Sequence, residues 1–318
     1  LCIRVICFIF LLNHMIVGLW ARMTIFPCIL LGRISTQIKT YLIMIIQFIA
    51  LKSRHLLLLI LFFITSCSQI GSQFSGINMY STREELELGY RYSIQLEKQL
   101  NINNDPVLNQ YINSLGQRLV KSSNRNDIPY TFKVVNDKSI NAFAIPGGYC
   151  YINLGLIDLA ESEAELASVI SHEIAHVVGE HGMENMTKQQ IIGFAGAMIL
   201  GAKPTFTEEI ISSIIQRGVL TNFSRGAELE ADRLGILQMH MAGFDPIGFE
   251  SFLKKMRDQE EGESGRFSNM LSTHPPTALR IEKSYDTRIS LPKKNYDKDD
   301  NRFSKMKEHL NRFYKKKE

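Results

Sequence analysis

Apolar residues recur every three or four positions along much of this chain, the spacing of helices that bury one face. The clearest case is 105–123, where one side collects Val107, Leu108, Tyr111, Ile112, Leu115 and Leu119. A serine stands three residues before a glutamate at Ser81 and at Ser162, a capping-box spacing that predicts the start of a helix. The pattern therefore predicts helices from 81 and over 105–123, 163–181, 185–202, 208–220, 226–243 and 246–260, with a last one after the prolines at 275 and 276.

Two other stretches have the sequence pattern of β-strands. Residues 130–136, YTFKVVN, alternate and are β-branched or aromatic. Residues 141–157, NAFAIPGGYCYINLGLI, are broken at Pro146, Gly147 and Gly148 into two short strands or a hairpin. We expect the strand that begins at these glycines to lie at a sheet edge, where unpaired amides can bind an extended peptide; a simple structural turn is the alternative. Many helices with few strands predict an α+β fold, mostly helical with a small β-sheet.

Charge separates the first 67 residues from the rest. Residues 1–67 hold six basic residues and no Asp or Glu, and without them the chain carries 30 basic and 32 acidic residues. The body is therefore close to neutral. It lacks the broad basic surface that nucleic-acid binding requires, so we expect no nucleic-acid partner.

The N-terminal region predicts export. In 52–67, KSRHLLLLILFFITSC, a basic lead precedes about ten apolar residues, which is a signal peptide rather than a spanning helix. The small residues before Cys67 resemble the lipobox of bacterial lipoproteins, which implies lipidation of Cys67, and Ser68 fits outer-membrane sorting. A plain signal peptide and an uncleaved anchor are the alternatives. We interpret residues 1–43 as an over-extended reading frame, with an extra membrane segment as the alternative.

The rest of the chain divides by composition. Residues 68–80, rich in Ser, Gly and Gln, are predicted to be a flexible tether, and 81–290 to be the functional domain. Residues 291–318 form a tail of Lys, Asp and Asn that we expect to be solvated, with a short terminal helix as the alternative. The small residues of 193–202 suit either a packed helix or a mobile lid.

The candidate chemistry centres on His172-Glu173-Ile174-Ala175-His176, an H-E-x-x-H motif. On a helix, His172 and His176 lie on one face and can bind a single Zn²⁺. Glu173 can take the proton of a water whose pKa the ion lowers toward ~7. The alternative is a structural pair of core histidines, which is costly because buried imidazoles need partners.

A catalytic zinc site needs a third protein ligand, and three residues are candidates. His181 stands one position from the place that one large class of zinc peptidases would require, so we expect it to cap or pack the helix end. Glu228 lies four residues before Asp232, so both acids can face the histidines, with Glu228 as ligand and Asp232 holding a ligand histidine. Glu230 projects to another face. A solvated acidic face is the alternative for the whole segment.

Four motifs in order resemble the gluzincin metallopeptidases, the family of HtpX, BepA and the CAAX prenyl proteases. They are NAFAIPGGYCYINLGLI at 141–157, HEIAH at 172–176, ELEAD at 228–232 and THPPTALRI at 273–281. The resemblance covers about 80–285 and implies a zincin-type fold whose edge strand precedes the H-E-x-x-H helix. It also implies one Zn²⁺ per chain. We expect two differences from these relatives: no clear spanning helix in this region, and a charged tail in place of a helical-repeat domain after about residue 290.

The resemblance also implies roles for individual residues. Glu228 would be the third ligand, and His274 would donate a hydrogen bond to the oxyanion or gate the site. We also expect Arg280 to pair with Asp232. The substrate peptide would lie along the strand that holds Gly147, Gly148, Tyr149 and Tyr151.

Together these features predict a zinc endopeptidase of the short lipoprotein branch of the family, located in the bacterial periplasm and anchored by lipid to the outer membrane. Misfolded or damaged envelope proteins would be its substrates and partners. The alternative is a chaperone-like lipoprotein that holds clients beside an idle zinc site. The full set of Glu173, Glu228 and His274 argues against that alternative, because a binding protein has no need of the base.

Overall fold

Two capped helices open the described part of the chain. The computed structural model describes residues 76, 78–199, 223–260, 265–297 and 301–314, with the backbone alone for 192–199 and 260. Helix α1 is Thr82–Glu97 and helix α2 is Pro106–Val120. Ser81 closes the predicted capping box on α1, and Asp105 caps α2 by accepting hydrogen bonds from two backbone amides.

A three-stranded sheet follows these helices. Its strands are β1, Thr131–Val135; β2, Ala142–Ile145; and β3, Tyr149–Asn153. The order is β1-β3-β2, with β3 parallel to β1 and antiparallel to β2. Gly147 and Gly148 turn the chain between β2 and β3 with φ of 79° and 83°, a left-handed conformation that favours glycine.

The strand that begins at these glycines is the central one, so its prediction as an edge strand is wrong. Tyr149 pairs with β1 at Thr131 and with β2 at Ile145, and Tyr151 is likewise paired on both sides. The backbone of β3 is thereby occupied. The sequence pattern predicts which residues form strands but not the order of the strands in the sheet. That order depends on which strand each one pairs with after the connecting segment, and here β3 pairs with both β1 and β2. Strand β2 is the edge on this side of the sheet.

The middle of the chain is helical. Its helices are α3, Leu154–Leu159; α4, Glu163–Val178; α5, His181–Ile199; α6, Arg225–Ala242; and α7, Ile247–Glu260. The predicted continuous helix over 163–181 is in fact interrupted. It ends at Val178, Glu180 takes a left-handed φ of 54°, and a new helix starts at His181. Gly182, the residue directly after the predicted helix, lies inside α5.

The last elements are a 3₁₀ turn, Gly265–Phe267, then α8, Ser268–Thr273; α9, Ala278–Ser290; and α10, Arg302–Tyr314. Helix α10 buries Phe303, Met306 and Leu310 against the core, and it packs on α2. For 302–314 the alternative of a terminal helix therefore holds, and the expectation of a solvated tail does not.

The core surrounds α4. Every residue of α4 from Glu165 to Val177 is buried, and the helix packs against β2 and helices α2, α6 and α7. The architecture is the predicted mostly helical α+β fold. Among the described residues, no helix combines the length and apolar character needed to cross a bilayer.

Candidate metal centre

Four side chains from three separate elements converge beside α4. His172 and His176 stand one turn apart on that helix, Glu228 comes from the first turn of α6, and His274 ends α8. One donor atom of each lies within 4.8 Å of all the others. The nearest approaches are 3.0 Å between the two Nε2 atoms of His172 and His176, and 3.0 Å between Nδ1 of His274 and Oε1 of Glu228.

This donor set fits a metal ion. Ligand atoms held tetrahedrally at about 2.0–2.1 Å from one Zn²⁺ stand about 3.3 Å apart. Here Nε2 of His172 is 3.3 Å from Nδ1 of His274 and 3.5 Å from Oε2 of Glu228. All four residues are buried, and three imidazoles and one carboxylate directed at one point are donors that a single cation would satisfy together. A plain pair of core histidines gives no account of the other two donors.

Asp232 and Arg280 contact the donor residues His172 and Glu228. Asp232 Oδ1 lies 3.0 Å from Nδ1 of His172, on the opposite side of the ring from the donor cluster. Arg280 donates to both oxygens of Asp232 at 2.7 Å, and its Nη1 stands 2.8 Å from Oε2 of Glu228. The structure thus brings together the two residues expected to pair, and Arg280 reaches Glu228 as well.

Glu173 faces the same space without joining the donor set. Its Oε2 accepts a hydrogen bond from the backbone amide of Ala144 in β2 at 3.0 Å, and its Oε1 stands 3.7 Å from Nε2 of His274. Burial raises the pKa of Glu173, against the opposing pull of His274. A carboxylate with a raised pKa beside a metal centre suits a proton acceptor.

The pKa values of His172 and His176 shift in opposite directions. Burial favours neutral His172, but its contacts with Asp232 and Glu228 outweigh burial and raise its pKa to about 9. His176 has no such second carboxylate, and burial lowers its pKa well below the ordinary value. Burial would raise the pKa of Glu228, yet the neighbouring histidines hold it far below its usual range.

Two further side chains touch His176. His181 is not among the four converging donors; its Nδ1 lies 2.9 Å from Nδ1 of His176. Phe223 stacks on the ring of His176 with centroids 3.9 Å apart and an angle of 19° between the planes. Sequence reasoning missed Phe223, since the residue belongs to no motif. Glu230 is 52% exposed, as expected of another face of α6, and its Oε2 lies 3.6 Å from Nε2 of His181.

The remaining predicted residues lie elsewhere. Gly147 donates its amide to Oε1 of Glu85 at 3.1 Å, and the carbonyl of Gly148 accepts from Thr131, so the turn is used within the fold. Cys67 and residues 200–202 of the expected lid lie outside the described residues. The backbone of 193–199 belongs to α5.

The buried helix α4 carries two histidine donors and a glutamate, a second helix supplies an acidic third donor, and a small sheet lies alongside. This arrangement defines a zincin-like metallopeptidase. The chain belongs to peptidase family M48, whose family model matches residues 106–287. This membership confirms the resemblance that the motifs indicate, and with it the prediction of a metallopeptidase. It also implies a metal cofactor.

Similar proteins in bacteria and mitochondria support the same family. The chain is 37% identical over 210 residues to the beta-barrel assembly-enhancing protease of Escherichia coli (strain K12), covering 63% of this chain and 43% of that protein. Its match to the protease of that name in Yersinia pestis is 37% over 211 residues, with the same coverage of 63% and 43%. It is 30% identical over 173 residues to the mitochondrial metalloendopeptidase OMA1 of Schizosaccharomyces pombe, covering 54% of this chain and 51% of that one. The chain thus spans about half the length of these relatives, or less.

Proposed function

We propose that this chain is a zinc-dependent endopeptidase that hydrolyses peptide bonds in misfolded or damaged proteins of the bacterial cell envelope. The convergence of His172, His176 and Glu228, with Glu173 beside them, is the observation that carries the proposal. Two imidazoles and a carboxylate are a ligand set that zinc peptidases use. The substrate class rests on the names of the bacterial relatives, which describe proteases that assist β-barrel assembly.

The chain's own residues supply the proton transfers. A bound Zn²⁺ polarises the scissile carbonyl and acidifies water. Glu173 accepts the proton of the attacking water and then gives it to the leaving amine, two tasks that its raised pKa favours. Asp232 keeps a proton on Nδ1 of His172, which leaves the Nε2 lone pair directed at the donor cluster.

His274 acts as a gate in this proposal. Its Nδ1 lies among the other donors, 3.0 Å from Glu228 and 3.3 Å from His172. With His274 in that place the centre has four protein donors, whereas catalysis needs an open position. Movement of His274 out of the cluster opens the centre. Its imidazole then stands where it can donate to the oxyanion that forms on the scissile carbonyl.

The substrate lies along β2 rather than β3. Strand β2 is the sheet edge beside α4, and the amide of Ala144 points away from β3 toward Glu173. An extended peptide that adds to this edge passes directly by the proposed base. Gly147, Gly148, Tyr149 and Tyr151 then support the edge strand from within the sheet instead of binding the peptide.

We further propose that the protein is lipidated at Cys67 and resides in the periplasm, anchored to the outer membrane. The basic lead, the apolar run and the small residues before Cys67 support this localisation. Intact mass of the membrane-extracted protein tests it. Cleavage before Cys67 with added acyl chains is the expected result, and a mass of 36.3 kDa contradicts it.

The Glu173→Gln variant tests the peptidase. The wild type is expected to cleave unfolded casein, and Glu173→Gln to lose at least about a hundredfold in rate while keeping its zinc, because only proton transfer is removed. Metal content of Glu228→Ala is the companion measurement, and it should fall. Equal cleavage by wild type and Glu173→Gln contradicts the mechanism. Zinc-loaded wild type that binds casein without cleaving it favours the chaperone-like alternative.

A further inference from the structure

One buried neighbour of the metal centre is His181, which is 3% exposed yet lies outside the set of converging donors. Its Nδ1 stands 2.9 Å from Nδ1 of His176. Because Nε2 of His176 faces the donor cluster, 3.4 Å from Oε1 of Glu228, Nδ1 is the nitrogen left over on the far side of the ring. The two histidines therefore meet through the nitrogens that do not face the cluster.

If His176 binds a cation through Nε2, only one arrangement of protons satisfies this contact. For His176 to offer the lone pair of Nε2 to a cation, its proton must sit on Nδ1. That N–H needs an acceptor, and the lone pair on Nδ1 of His181 is at hydrogen-bonding distance. His181 must then carry its own proton on Nε2, which faces the carboxylate of Glu230 at 3.6 Å.

The backbone is shaped to hold His181 there. A methyl group at Gly179 would lie 2.6 Å from Nε2 and 2.7 Å from Cε1 of the His181 ring, so the ring occupies space that only glycine leaves open. Glu180 then turns the chain with a left-handed φ of 54°, uncommon for a glutamate. Asn78 donates to the Glu180 carboxylate at 2.6 Å, and Arg125 lies 3.3 Å from it, which fixes the turn.

We propose that His181 is a positioning residue for the metal: it accepts the Nδ1 proton of His176 and so fixes the tautomer and ring orientation in which His176 binds the ion. The carboxylate of Asp232 contacts Nδ1 of His172, the ring nitrogen that faces away from the donor cluster. The neutral imidazole of His181 makes the equivalent contact with Nδ1 of His176. Glu230, two residues after Glu228 on α6, completes the chain of contacts behind His181. This inference rests on the proposed zinc site.

Zinc affinity of the purified full chain tests the role, measured by competition with a chromophoric chelator. His181→Phe keeps an aromatic ring but has no acceptor, and His181→Asn keeps an acceptor at the place of Nδ1 but loses most of the ring. Loss of such a contact typically lowers metal affinity 10- to 100-fold, so we expect that loss for His181→Phe and near wild-type affinity for His181→Asn. A purely structural role predicts the opposite order.

Gly179→Ala gives a second variant that leaves His181 itself intact. The backbone of Gly179, with φ of −78° and ψ of 1°, accepts alanine, so the added methyl group acts by displacing the His181 ring. We expect weaker Zn²⁺ binding and, with Co²⁺ as probe, a changed visible absorption spectrum for Gly179→Ala and His181→Phe. His240→Ala, which removes a histidine that contacts Tyr296 at the other end of α6, is the matched control and should change neither.

The outcomes separate this inference from the proposed function. Wild-type affinity and an unchanged Co²⁺ spectrum in both His181→Phe and Gly179→Ala overturn the positioning role while the zinc site stands. Equal losses in His181→Phe and His181→Asn overturn it too, because packing rather than the acceptor would then matter. A wild type that binds neither ion overturns the zinc site itself.

Discussion

Arg280 is a buried cation that contacts two carboxylates of the metal centre. It is 4% exposed, and both carboxylates, those of Asp232 and Glu228, are themselves buried. Burial disfavours a charged guanidinium, yet the adjacent carboxylates raise its pKa, and the charge of Arg280 in turn lowers the pKa of Asp232. Removing one partner from such a cluster leaves an uncompensated buried charge, which costs far more than an exposed pair contributes.

We therefore predict that Arg280→Met lowers the free energy of unfolding of the metal-free protein by about 3–5 kcal/mol. Arg312→Met is the matched control, because Arg312 is exposed and, among the described residues, its ion pair is with Glu308, a contact of about 0–1 kcal/mol. Urea unfolding followed by circular dichroism measures both. A loss for Arg280→Met no larger than that for Arg312→Met contradicts the prediction.

At the scale of elements, the C-terminal end of α4 is tied to α1 and to the β2–β3 turn. Arg125 donates to the carbonyl of Val177 in the last turn of α4 at 2.9 Å and forms a bidentate pair with Glu85 of α1. Glu85 also accepts the amide of Gly147. These contacts hold α1 so close to the turn that only glycine fits at residue 89, where a methyl group would lie 2.1 Å from the carbonyl oxygen of Pro146.

Substituting Gly89 measures how much this close approach matters. We predict that Gly89→Ala destabilises the protein by about 1–3 kcal/mol, since backbone must move to admit the methyl group. Gly226→Ala on α6 is the control: the nearest atom to its added methyl group is 3.8 Å away, so helix propensity predicts a gain of up to about 1 kcal/mol. Thermal unfolding of the two variants measures the difference, and equal changes in melting temperature would contradict the prediction.

At the scale of the whole molecule, the metal centre joins segments that are far apart in sequence. His176 and Glu228 are 52 positions apart, and Glu228 is 46 positions from His274. An ion that binds them all links α4, α6 and α8 only in the folded state. A ligand that binds only the native state stabilises it by mass action. The free energy of unfolding rises by about 4 kcal/mol when the ligand concentration is a thousand times the dissociation constant.

We predict accordingly that added Zn²⁺ raises the melting temperature of the wild type and that a chelator reverses the rise. Glu228→Ala should lose most of this response because it removes a donor. Glu173→Gln should keep it, because Glu173 is outside the donor set. A melting temperature that does not respond to Zn²⁺ in the wild type, or that responds equally in Glu228→Ala, contradicts the proposed ligands.

The local features of this fold were open to prediction because each depends on residues a few positions apart. The starts of α1 and α4 follow from Ser81 and Ser162 with the glutamates three residues later. His172 and His176 share a face because a helix brings residues four apart together. Two local features are hidden by the pattern. Helix α3 begins at Leu154, inside the stretch predicted to be strand, and the chain breaks at Glu180, because glutamate gives no sign of a left-handed turn that tertiary contacts impose.

The sequence by itself determined most of the longer helices that the structure describes, the caps at Ser81 and Ser162 and the spacing of the donor residues, because these follow from short-range periodicity and backbone chemistry. Only the tertiary structure decided that β3 is central and β2 faces Glu173, that Phe223 stacks on His176, and that α10 packs against α2. Each of these depends on which distant segments bury their surfaces together, and a one-dimensional pattern does not record that choice.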